Sequence, residues 1–220
     1  MSKVIKFGED VEGYGIPVLN EREIRAAAGI LFTWAFLAVL AAIMKGNFAI
    51  LKHFILAFLA DFLIRVFINP KFSPTLIIGR LIVRRQTPEY VGAAQKKFAW
   101  VIGLILVLIM LVLVVFVNSY SAITGIICLI CLIFLLFESA FGICLGCLFY
   151  GWFYGKKAQY CPGEVCEIKD RHEIQKTSWS QIFIVMGFIG FIVISVYLFN
   201  EAFSEKPQDL FKIIESAQSK

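Results

Sequence analysis

The sequence predicts an all-α, polytopic transmembrane helical bundle of about five spans, with a short amphipathic helix at the interface. Three observations predict it. Apolar residues make up 60% of the 220-residue chain and charged residues only 17%, against about half and about a quarter in an average soluble domain. The apolar residues are gathered in runs near the ~20-residue length that crosses a bilayer core, which gives a mean hydropathy of +0.81. The basic residues collect in alternate connections between those runs.

The runs cover residues 27–44, 48–68, 98–117, 122–145 and 182–199. The first follows a mixed-charge segment and lacks a small-residue cleavage site, so it is expected to be a helix and not a signal peptide. Asn20-Glu-Arg-Glu23 reads as a capping box that opens it. The second run is interrupted by Lys52, His53, Asp61 and Arg65, and Asn69-Pro70 should end it. Residues 73–85 alternate apolar positions with Arg80, Arg84 and Arg85, as in a helix lying on the inner leaflet with its arginines at the headgroups. A docking surface for an acidic partner is the alternative reading of that segment. The fourth run continues into aromatic residues as far as Tyr154. This is too long for one perpendicular span, so its end must tilt, bend or lie in the interface. Residues 208–215 form a weaker amphipathic segment. The expected organisation is an N-terminal segment 1–26, a four-helix membrane domain 27–155, a Cys-containing loop 156–181, a fifth helix 182–199 and a tail 200–220.

Charge sets the expected orientation. Lys3, Lys6, Arg22 and Arg25 precede the first span. Lys71, Arg80, Arg84, Arg85, Lys96 and Lys97 lie between the second and third, and Lys156, Lys157, Lys169, Arg171 and Lys176 between the fourth and fifth. The opposite connections hold only Lys45, with Lys206, Lys212 and Lys220 in the tail. This places the N-terminus in the cytoplasm and the C-terminus outside. The net charge of +5 is mostly this asymmetry and does not argue for nucleic acid. The lipid bilayer is the first expected partner.

Six cysteines form three local pairs: Cys128/Cys131, Cys144/Cys147 and Cys161/Cys166. Depth sorts them. Cys128 and Cys131 lie roughly 10–15 Å into the fourth span, where a thiol is desolvated and is expected to pack, not react. Cys144 and Cys147 come roughly 33–38 Å along the same helix, at the cytoplasmic boundary. The aromatic belt Phe149, Tyr150, Trp152, Phe153 and Tyr154 follows at once. A disulfide inside a regular helix is strained, so this pair would need local unwinding to close. Gly142, Gly146, Gly151 and Gly155 make bending or close helix approach easy there, and a glycine-rich packing seam is the competing reading. Cys161-Pro-Gly-Glu-Val-Cys166 sits in the predicted cytoplasmic loop, where Pro-Gly marks a turn. The four outer cysteines read C-x2-C-x13-C-x4-C, near the spacing of four-thiolate metal sites. The first pair lies on a membrane-edge helix and not on a knuckle, so no metal is assigned.

Asp61 and Arg65 share one face of the second span. Glu138 lies at a similar depth on the fourth, so the three are expected to meet in the inner half of the bundle. His53 falls near the outer interface and is expected to be an ordinary polar position. No nucleotide-binding glycine loop, H-E-x-x-H or G-x-S-x-G is present. The two histidines are not spaced as a ligand pair, so no cofactor is assigned.

Phe137-Glu-Ser-Ala-Phe-Gly-Ile-Cys-Leu-Gly-Cys147 resembles the signature of an uncharacterised bacterial family of four-helix integral membrane proteins, a domain of unknown function. In that family a Phe-Gly-x-Cys-Leu-Gly-Cys segment ends the last helix. The preceding loop is also similar, through Asn69-Pro70, Ser73-Pro74, Arg80, Arg84, Arg85 and Phe98-Ala99. The resemblance covers residues 20–154 and implies a bacterial cytoplasmic membrane. Its members tend to stand beside thioredoxin-like and sulfurtransferase-like proteins, which implies thiol or sulfur chemistry. Two features depart from the family: Glu138, where Asn is usual, and the added Cys161/Cys166 loop with its fifth helix.

The leading expectation is therefore a membrane thiol protein. Cys144 and Cys147 would pass electrons or sulfane sulfur, with Cys161 and Cys166 as a relay to a soluble thioredoxin-like or rhodanese-like partner. A helix N-terminus or a basic neighbour must stabilise the thiolate, and Lys156 and Lys157 are the nearest bases in sequence. A small transporter or channel for a sulfur-containing anion, lined by Asp61, Arg65 and Glu138, is the second expectation. A scaffold whose cysteines only pack is the third.

Overall fold

A computed structural model describes residues 7–11, 15–154 and 177–218 of the chain. Helix α1 (Glu21–Lys45) starts at Asn20, whose side chain accepts from the Arg22 backbone N–H and donates to Glu23 Oε1 at 3.0 Å. The cap is thus made with Asn20, but Glu23 reaches its side-chain amide instead of its backbone N–H. Gly46, in the left-handed region at φ 60°, closes the helix. Helix α2 (Ala49–Leu63) continues as a π-helical turn, Ile64–Ile68, and ends at Asn69. There Pro70 allows no further helical hydrogen bond. Ser73 caps α3 (Pro74–Val83), with Pro74 in its first turn.

Helix α4 (Ala93–Met110) also ends in a π-helical turn, Leu111–Phe116. Helix α5 (Ala122–Leu136) opens on a reciprocal Ser121/Thr124 capping box and runs into a third such turn, Phe137–Phe141. After α6 (Leu145–Tyr154), helix α7 (Trp179–Ser204) opens on a Ser178/Gln181 box, and α8 (Leu210–Gln218) follows.

Among the described residues, four helices are long and apolar enough to cross a membrane: Glu21–Lys45, Ala93–Phe116, Ala122–Phe141 and Trp179–Ser204. The chain is an all-α, multi-pass membrane protein. The segment 49–68 carries more charge, but Lys52, His53, Asp61 and Arg65 are all buried inside the protein. Lipid-facing charge is therefore avoided even in the second crossing.

Two small strand pairs mark opposite ends of the bundle. At one end β1 (Val18–Asn20) runs antiparallel to β2 (Tyr90–Gly92), joining the starts of α1 and α4. At the other end β3 (Ser119–Tyr120) runs parallel to β4 (Gln208–Asp209). There Lys52 Nζ donates to Asn118 Oδ1 at 2.8 Å and to the Glu205 carbonyl at 3.2 Å. His53 is not an ordinary interface position: it is buried, with its ring 4.8 Å from that of Phe203 and Nδ1 2.7 Å from the Ala49 carbonyl. These contacts tie α7 to α2 at that end. Gln181 Nε2, donating to the Lys71 carbonyl at 3.0 Å, ties it at the other.

The core forms where α1 meets α2, α4 and α5. Buried alanines of α1 (Ala27, Ala28, Ala35, Ala38) let neighbouring backbones approach. Phe54, Phe58 and Phe62 fill the space from α2, and Trp100 and Leu104 from α4. Helix α3 packs closely along the start of α1. A Cβ at Gly79 would lie 2.5 Å from the Glu23 carbonyl, so only glycine permits the approach. The amphipathic helix thus keeps Leu81 and Ile82 outward, but Arg80 is turned inward. It is 4% exposed and paired with Glu23 at 3.1 Å, because its carboxylate partner lies on α1 and not in the headgroups.

Asp61 and Arg65 form a closed cluster with the start of α3. Arg65 Nε donates to Asp61 Oδ2 at 2.7 Å and to Ser73 Oγ at 3.1 Å. Asp61 also accepts from Ser73 Oγ (2.7 Å), the Thr75 backbone N–H (3.0 Å) and Thr75 Oγ1 (2.8 Å). Arg65 Nη2 donates to Thr75 Oγ1 as well. The guanidinium lies over Phe62 and Trp100, 4.6 and 5.1 Å from the ring centres. Removing one partner strands a buried charge. Asp61→Ala should destabilise the protein by about 3–5 kcal/mol, read as a fall in Tm in detergent micelles. Replacing both residues with apolar side chains of similar volume should recover part of that loss.

Candidate functional site

The long fourth span is not one continuous helix. Its π-helical turn ends at Gly142, in the left-handed region at φ 67°, a conformation that costs other residues about 1–2 kcal/mol. The guanidinium of Arg25 lies where a Cβ on Gly142 would be, but this flexible, part-exposed side chain can move aside, so it is the backbone conformation that demands glycine. The chain resumes at α6, and Cys144 stands immediately before its first residue. The Cys144 carbonyl accepts from the N–H groups of Cys147 (3.0 Å) and Leu148 (3.2 Å). Its Sγ accepts from the Cys147 N–H at 3.3 Å. Cys144 is thus the N-cap of α6, with its sulfur among the unpaired N–H groups of the first turn.

Cys144 and Cys147 are joined in a disulfide, with Cα atoms 5.1 Å apart. The break at Gly142 supplies the unwinding that a disulfide over three residues requires. Gly146, inside the loop, faces Ala99: a Cβ there would lie 2.5 Å from the Ala99 Cβ, so α6 can seat on α4 only with glycine at this position.

Both cysteines line an open pocket of about 620 Å³ together with Glu21, Arg25, Glu89, Gln95 and Lys96. Lys96 is 1% exposed and bridges two carboxylates, Glu21 Oε2 at 2.8 Å and Glu138 Oε1 at 2.6 Å. Arg25 lies 3.5 Å from both Glu21 and Glu89, and Arg22 lies 2.7 Å from Glu89. Among the described residues, Arg25 and Lys96 thus stand against Glu21 and Glu89 in the pocket lining, with Arg22 and Glu138 paired to them from behind.

Glu138 does not meet Asp61 and Arg65 in a single cluster, as the helical depths suggested. It pairs with Lys96, while Asp61 and Arg65 pair with each other. The reason is the π-helical turn, which redirects Glu138 toward the start of α4. The two clusters still share a wall. Arg65, Glu138 and Cys144 line a narrow cleft of about 50 Å³ between the helices, with Phe58, Phe62, Trp100 and Cys131. Cys128 and Cys131 are free, half-buried thiols packed against the core. Cys161, Cys166, Lys156 and Lys157 lie outside the described residues.

One family matches the chain, and it does so over residues 19–154, which span every element from β1 to α6: Domain of unknown function (DUF4395). The chain belongs to the DUF4395 family. No curated protein and no solved structure matches it. The DUF4395 region contains the whole disulfide pocket, while α7 and α8 follow it.

Lys96, Glu21 and Arg25 are the site residues that sequence reasoning missed. Lys96 was counted among loop cations, and Glu21 and Arg25 were assigned to the N-terminal segment. Their signal was the i, i+4 pairing of Glu21 with Arg25, beside a lysine placed directly before an apolar run.

Gly142→Ala should destabilise the Cys144–Cys147 loop through its left-handed backbone conformation. The fraction of protein with this disulfide, measured by thiol labelling at a fixed redox poise, should fall. Arg25→Ala in the same background should restore little of it, because the Arg25 side chain can move aside.

Proposed function

We propose that this protein is a membrane dithiol–disulfide protein whose working pair is Cys144 and Cys147. One observation carries the reading: the pair sits at the N-terminus of α6 and opens onto a pocket wide enough for a partner's chain. A helix N-terminus stabilises negative charge through its unpaired N–H groups and its dipole. Once the bond is reduced, Cys144 is the cysteine so placed, because its sulfur already accepts from Cys147 N–H. Cys144 is then the attacking thiolate and Cys147 the resolving thiol. The helix end takes the part that a basic neighbour such as Lys156 or Lys157 would otherwise play.

The exchange is balanced by a soluble thioredoxin-like or rhodanese-like partner. With a partner disulfide, the Cys144 thiolate attacks one sulfur, the partner S–S bond breaks, and a mixed disulfide forms. Cys147 then attacks the Cys144 sulfur and releases the partner as a dithiol. Two electrons leave this chain, and the protons of two S–H bonds pass to the partner. Cys161 and Cys166 extend the relay. On this reading the disulfide end faces the cytoplasm across a bacterial inner membrane and the C-terminus lies outside, which the excess of basic residues in the connections at that end supports.

Cys147→Ser tests the assignment. Reduced Cys147→Ser protein should trap an oxidised thioredoxin-class protein as a covalent adduct through Cys144, visible on a non-reducing gel and lost in Cys144→Ser. No adduct in Cys147→Ser, with both cysteines of the native protein inert to alkylation after reduction, would refute the reading.

A further inference from the structure

We infer that Glu138 is the proton-handling positioning residue for Cys144, acting from the membrane side of the disulfide. The inference rests on the dithiol reading and adds a role for a residue that reading does not use. Cys144 stands in a wall between two spaces. Cys147 lines the open pocket, whereas Cys144 lines both that pocket and the narrow cleft. The cleft, at about 50 Å³, exceeds the roughly 10–15 Å³ that one water needs, and a buried water needs two to four polar partners. Glu138 and the Cys144 sulfur supply two, with the Cys131 thiol as a weak third.

The charged groups around Glu138 decide which of them can take a proton. Lys96 on α4 is a donor engaged with two carboxylates. Glu21 on α1 is held by Lys96 through both oxygens and has Arg25 3.5 Å away. Arg65, at the end of α2, is committed to Asp61, Ser73 and Thr75. Glu138 is engaged by Lys96 through Oε1 and, among the described residues, is the sole carboxylate lining the cleft. A proton leaving Cys144 Sγ therefore passes through one water to the Glu138 carboxylate. The Cys144 thiolate then attacks the partner disulfide and forms the mixed disulfide, while the departing partner thiolate takes a proton from bulk water at the pocket mouth. The S–H bond lost on Cys144 is matched by an O–H bond on Glu138, which returns its proton to water before the next exchange. General-base assistance of this kind raises rates where the thiol is still protonated and is idle once it is ionised.

The test is the pH profile of thiol–disulfide exchange between the reduced full-length protein, in lipid nanodiscs, and oxidised glutathione. In Glu138→Gln the rate at Cys144 should fall about tenfold or more at pH values below the pKa of the Cys144 thiol, which the helix N-terminus holds under the ordinary value of about 8.5, and should converge on the native rate above it. Glu138→Asp should restore most of the low-pH rate. A ratio of native to Glu138→Gln rates that stays constant with pH would make Glu138 merely structural and overturn the inference. Equal rates throughout would do the same, and both results would leave the dithiol reading standing. Failure of the native protein to exchange at any pH would overturn both.

Discussion

The first turn of α1 places two carboxylates, Glu21 and Glu23, inside a bundle with little water to solvate them. Unpaired buried charges in such surroundings cost several kcal/mol, of order 3–5 when a partner is lost. Each is therefore matched by a cation from a different element: Lys96 from α4 and Arg80 from α3. These two pairs, beside the β1–β2 strand pair, hold three elements together at one end. Negative side chains in a helix's first turn are also favoured by its dipole. Lys96 in turn draws Glu138 inward, which orients the π-helical turn at the end of α5. Gly142 follows with its backbone against Arg25. The position of the disulfide is the last step in this chain of constraints.

The two ends of the bundle are built differently. The disulfide end is charged and closely packed, and every described residue lining its pocket lies in the DUF4395 region. The other end is held by Lys52, Asn118 and the short β3–β4 pair, and it receives α7 and α8. Helix α7 packs on α2 and α3 and, among the described residues, contributes nothing to the disulfide pocket. Helix α7, which lies outside the matched residues 19–154, is thus seated at the periphery of the bundle, away from the disulfide.

Balanced charge also bears on chemistry. Arg22, Arg25 and Lys96 stand against Glu21, Glu89 and Glu138, so the pocket offers a disulfide among paired ions and not an anion trap. Asp61 and Arg65, the deepest charges, are saturated by each other and by Ser73 and Thr75. Their arrangement is that of a clamp between α2 and α3.

Composition and run length alone determined the membrane bundle, because a helix facing lipid has no alternative to an apolar surface. The same logic made the end of α2 legible from Asn69-Pro70 and the seam from Gly142 and Gly146. Which partner each polar residue would choose was decided only by the tertiary structure. Arg80 looked like a headgroup anchor and proved to be the counter-ion of Glu23. Lys96 looked like a loop cation and proved to be the centre of the site. Glu138 looked level with Asp61 and was turned away from it by a π-helical turn. Depth along a helix follows from residue number at about 1.5 Å per step, but the direction of a side chain around the axis shifts with every break. Buried ion pairs depend on that direction, so they are the part of this protein that its sequence left unread.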